Sequence, residues 1–146
     1  MIVKIFKGLW LLSLLATLAV FLYVYASLPE SVAVMEGEST KFVSRNSLFY
    51  STLGFLAAFN ALIFVGSRLF RKSDPYFMAW FYGLIGIFNV FIIVGLQYLN
   101  LYNSGEKFNY ESIGGIIYGS IMLVVIWSIL WPVSLVIRRI VTKQQI

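Results

Sequence analysis

At 146 residues, the chain is 60% hydrophobic and only 12% charged, about half the roughly 25% of a soluble domain, so a single lipid-embedded domain over 1–146 is expected. It has neither Cys nor His, which removes disulfides, thiol redox exchange and Fe–S clusters, His-ligated haem and the usual zinc and copper sites. The net charge of +5 is accounted for by membrane topology, without a nucleic-acid partner.

Four stretches reach the roughly 20 apolar residues that a crossing requires: about Gly8 to Leu28, Ser47 to Ser67, Pro75 to Leu99 and Ser112 to Ile137. None carries Asp, Glu, Lys or Arg in its body. Pro29 ends the first. Its opening, with Lys4, Lys7 and the small-residue segment Val24-Tyr25-Ala26, has features of a cleaved signal. The apolar run of about 19 residues is longer than the about 7–15 of a signal core, so it is expected to stay as a span. Asn46 and Ser47 are the expected cap of the second span, and Ser73-Asp74-Pro75 of the third. Asn100 to Gly105 reads as the turn that stops the third. Pro132 falls near the end of the fourth, where a kink is tolerated.

Between the first two spans lies the longest loop, 28–46, with Glu30, Glu36 and Glu38 against Lys41 and Arg45. Ser31 to Met35 in it can form a short strand. The loop is expected either to lie over the bundle or to dock a partner through those five charges. Orientation follows from basic residues in short loops. Lys4, Lys7, Arg68, Arg71, Lys72, Arg138, Arg139 and Lys143 fall on one side, and Lys41, Arg45 and Lys107 on the other. The richer side is expected to be cytoplasmic, which gives an all-α four-helix bundle of the inner membrane with both termini inside.

Helix association in lipid depends on small residues and interhelical hydrogen bonds. At 100° per residue, Ser47, Ser51, Gly54, Ala58 and Ala61 form one stripe on the second span. Gly86, Asn89, Ile93 and Gln97 share a face of the third, with Gly83 nearby. Gly115 and Gly119 make a GxxxG pair in the fourth, and Ser13, Thr17 and Val20 a weaker stripe in the first. These stripes are expected to be seams within the bundle or interfaces with partner subunits. Asn60 and Asn89 are expected at depths differing by about 8–9 Å, each bonding a carbonyl or a hydroxyl and not the other. Tyr23, Tyr25, Tyr50, Tyr98 and Tyr102, and on the opposite side Trp10, Phe70, Tyr76, Phe77, Trp127 and Trp131, are read as interfacial aromatic belts.

Tyr25-Ala26-Ser27-Leu28-Pro29-Glu30, Val32, Val34 and Gly37 follow the first span with a Leu-Pro motif, a β-like stretch and a glycine. Over roughly residues 20–50 this resembles SdpI-type bacterial membrane proteins, departing from them at Met35-Glu36, where that family usually has a His-Phe or similar pair. The resemblance implies an immunity or signalling membrane protein and transfers no catalytic residue.

All six carboxylates lie in loops or at helix ends, whereas ion carriers place an ionisable group within the membrane. No nucleophile–base pair or phosphate-binding glycine motif is present, so no enzyme activity and no cofactor are expected. The leading expectation is a small non-catalytic accessory subunit of a larger membrane complex, such as a respiratory, secretion or transport assembly. A stand-alone SdpI-like sensor or immunity protein is the alternative, and a small oligomeric transporter a third.

Overall fold

The computed structural model describes residues 1–35, 41–69, 74–105 and 110–143. Its elements run α1 (Ile2–Ser27), β1 (Ser31–Met35), β2 (Lys41–Ser44), α2 (Arg45–Leu69), α3 (Pro75–Asn103) and α4 (Tyr110–Lys143). All four helices are long and apolar enough to cross a membrane, and the chain is a multi-pass membrane protein folded as a helical bundle.

Local chemistry places the ends. Leu28 closes α1 by donating its N–H to the Val24 carbonyl and turns extended, at φ −73° and ψ 143°, before Pro29, as a residue preceding proline prefers. Asp74 caps α3, accepting from the Tyr76 N–H, with Pro75 in the first turn. The cap of α2 differs from expectation. Ser44 takes the role, its Oγ accepting from the Ser47 N–H at 3.1 Å, and Arg45 and Asn46 are already helical. Likewise α3 does not stop at Leu99. It continues through Asn103, and the turn is confined to Ser104 and Gly105, whose φ of +72° suits glycine. The helix interior tolerates Asn100 and Asn103 because both side chains find partners outside it.

The strand expected at 31–35 is present, paired antiparallel with β2 in the register Ser31↔Ser44, Val32↔Val43, Ala33↔Phe42. Val32 is fully buried on top of the bundle. The outer edge of β1 is covered by one side chain: Asn103 Oδ1 accepts from the Ala33 N–H at 2.8 Å, and its Nδ2 donates to the Ala33 carbonyl at 3.0 Å. The Asn103 amide stands where the next strand of a sheet would be, and so satisfies the free edge. Ser27 Oγ donates to Asn100 Oδ1 at 2.7 Å, tying the end of α1 to the same region.

Helix α3 is the hub. α1 packs along it most extensively and α4 less so, while α2 and β1 meet it over shorter stretches. Two apolar clusters fill the centre. Phe21, Val24, Leu28, Val32, Leu56 and Leu96 form the one under the hairpin, and Trp10, Ile63, Tyr82 and Ile85 the one toward the chain termini.

Candidate functional site

Between the two clusters lies a knot of hydrogen bonds. Asn60 and Asn89 face each other across α2 and α3, each Nδ2 donating to the other's Oδ1, at 2.9 and 3.1 Å. This corrects the expected lack of contact. Asn60 lies 15 residues along α2 from Arg45, and Asn89 lies 14 residues before Asn103. At about 1.5 Å per residue, both are therefore about 21–23 Å below the hairpin end. With helix ends at Ser47 and Leu99 the two would still differ by three residues, about 4–5 Å, so the longer helices account for only part of the expected offset.

The pair is completed from α1 and from within α2. Trp10 Nε1 donates to Asn60 Oδ1 at 2.9 Å, and Asn60 Nδ2 also donates to the Leu56 carbonyl. Asn60 thereby makes all four bonds an amide can make. Asn89 Nδ2 donates to Ser13 Oγ at 3.1 Å, and Ser13 in turn donates to the Trp10 carbonyl. Thr17 Oγ1 donates to the Ser13 carbonyl at 2.7 Å, with the Asn89 carbonyl at 3.2 Å as second acceptor. Asn89 and Thr17 have no exposed surface, and Asn60 and Trp10 retain 5% and 7%. In lipid these groups have no water to turn to, and each has a protein partner instead. The stripe read as the weakest, on α1, is thus the principal seam. Trp10 belongs to this core and not to an interfacial belt.

A second clamp holds α4. Trp80 Nε1 donates to the Trp127 carbonyl at 2.7 Å, and Trp127 Nε1 donates to the Trp80 carbonyl at 3.0 Å. Gly83, one turn along α3, makes room for the indole, since a Cβ there would collide with Trp127 Cζ2. A Cβ at Gly66 would similarly collide with the Phe81 ring. Gly86 is less demanding, with Ser13 Oγ and Trp10 Cα at ordinary contact distances of 3.5 and 3.7 Å from a Cβ. No motif marked Trp80 or Trp127 as a pair, because tryptophan at 47 residues' separation has no sequence signature.

The stripes on α2 and α4 point outward, which corrects their reading as seams within the bundle, whereas Gly86 and Asn89 of the α3 stripe do face α1. On α2, Ser47, Ser51, Gly54, Ala58 and Ala61 are all exposed, and a Cβ at Gly54 would meet nothing within 4 Å. On α4, Gly115 and Gly119 are exposed with the same open space, beside Tyr118 at 71% exposure. Gln97 on α3 is exposed too, although Asn89 on its expected face is buried. α2 and α4 instead meet α3 through Asn60, Ile63 and Gly66, and through Trp127 with its neighbours.

Of the five loop charges, Glu30 and Lys41 are exposed, and Glu36 and Glu38 lie outside the described residues, as does Phe70. Arg45 has a structural part. Its Nη1 donates to the Leu28 carbonyl at 3.1 Å, its guanidinium lies 5.3 Å from the Tyr25 ring centroid, and its N–H donates to the Glu30 carbonyl. It holds the end of α1 to the start of α2.

A groove of about 490 Å³ opens between α2 and α3 beneath the hairpin. Its walls carry Ser51, Thr52 and Phe55 from α2 and Phe91, Gly95 and Tyr98 from α3. Among the described residues, no group of His, Cys, Asp and Glu is arranged to hold a metal ion.

Comparison with protein-family models, with curated proteins and with solved structures found no match.

Proposed function

We infer that the protein is a small non-catalytic accessory subunit of a larger membrane complex, seated in the inner membrane with both termini cytoplasmic. The observation that carries this reading is the division of labour among the helix faces. Polar side chains that could serve transport or catalysis are spent on holding α1, α2 and α3 together. The small-residue faces that favour close helix approach, Gly54 and Ala58 on α2 and Gly115 and Gly119 on α4, stay outside the bundle. Gln97 lies exposed on α3 as a further hydrogen-bonding contact for a neighbouring helix. The charge asymmetry of the loops supports the orientation.

The experiment is purification of a tagged chain in mild detergent, with mass spectrometry of the proteins that co-elute. Reproducible membrane partners at fixed stoichiometry are the expected result. A chain that runs alone as a monomer overturns the reading.

A further inference from the structure

We propose that the groove between α2 and α3 is a binding site for one glycerolipid from the leaflet on the hairpin side, which enters tail first and presents its ester carbonyls to hydroxyls on the groove wall. The proposal does not depend on the accessory-subunit reading.

The first observation is an anomaly in hydroxyl bonding. Helical serines and threonines in a membrane normally donate to the carbonyl three or four residues back. Ser13, Thr17, Ser27, Ser67, Ser120, Ser128 and Ser134 all do so here. Ser51 and Thr52 do not, and neither hydroxyl has a partner among the described residues. Both line the groove, as does Tyr98, whose hydroxyl is equally free. Three unused donors therefore converge on one apolar cavity, the combination expected of a ligand site.

Depth then selects the ligand. α3 has 29 residues, about 43 Å at 1.5 Å per residue, enough for the about 30 Å hydrocarbon core and both headgroup layers. Ser51, Thr52 and Tyr98 lie six, seven and five residues in from Arg45 or Asn103, about 8–10 Å below the helix ends. That is the boundary between headgroups and hydrocarbon, where a glycerolipid carries its ester carbonyls. Phe55 and Phe91 lie at about 15–18 Å, at the depth of an acyl chain. The wall is thus polar where a lipid is polar and aromatic where it is apolar. Ala33 and Val34 of β1 roof it, and Gly95 leaves it open, since no atom lies within 4 Å of where its Cβ would be.

The test uses the full chain reconstituted in phosphatidylcholine vesicles that contain a trace of the same lipid with a diazirine on one acyl chain. Photolysis and peptide mapping should place the label on the α2 and α3 segments around Phe55 and Phe91. Gly95→Leu projects its side chain into the groove from a position where a Cβ meets no neighbouring atom, and should lower that labelling at least fivefold. Gly8→Leu, at an equally open position on α1 away from the groove, should leave it unchanged. Ser51→Ala with Thr52→Val removes two donors, each worth about 1 kcal/mol or fivefold in affinity, and an ether-linked analogue lacking the carbonyls should show the same loss on the native chain. Labelling spread over all helices, or equal in the native chain and Gly95→Leu, overturns the proposal. Loss on Gly95→Leu with no difference between ester and ether lipids overturns the carbonyl contact.

Discussion

Asn60 and Asn89 show what a polar side chain costs and contributes in a membrane. Individual interhelical hydrogen bonds there average about 0.6 kcal/mol, yet removing one partner strands the other in a place without water. Asn89→Leu leaves one donor and one acceptor site of Asn60, and the acceptor of Asn89 on Ser13, without their partners. We expect it to destabilise the bundle by about 1–3 kcal/mol, read from reversible unfolding in micelles. Asn60→Leu should cost a similar amount. The double variant should cost less than the sum of the two, because the first replacement already removes the shared bonds; additive losses would mean that the two amides act independently.

Among the helices, α3 decides how the others sit, and two of its glycines have opposite requirements. Gly83→Ala drives a methyl group into Trp127 and should release α4 from the Trp80 clamp, seen as a lowered Tm and a shift in tryptophan emission. Gly86→Ala meets only ordinary contacts and gains up to about 1 kcal/mol of helix propensity, so its Tm should hold or rise. The hairpin depends on Asn103 in a comparable way. Asn103→Leu should leave the four helices intact while the Ala33 amide, which donates to it, exchanges with solvent at least tenfold faster in hydrogen-exchange measurements. The existence of all four spans and of β1 was legible in the sequence, because a bilayer demands a minimum apolar length and Leu28-Pro29 and Asp74-Pro75 punctuate it. The facing of those spans was not. The lipid-exposed surface is as apolar as the interior, so periodicity lost its usual inside–outside contrast, and small residues marked Gly54 and Gly83 alike although only the latter is packed. The Asn60–Asn89 contact was hidden in part by taking Asn100 to Asn103 for a turn, when those asparagines are helical and bonded to Ser27 and Ala33.

For the whole molecule, the interior is occupied with its own cohesion, and the proposed accessory role puts recognition on the perimeter. Gly115 and Gly119 sit in open space, so bulk added there should affect assembly and not the fold. The decisive measurement compares the native chain with the Gly115→Leu/Gly119→Leu double variant, taking for each the thermal unfolding of the isolated protein and the partners recovered in mild detergent. The account predicts an unchanged Tm together with loss of the co-eluting subunits. A variant that unfolds at a lower temperature, or one that retains every partner of the native chain, would contradict it.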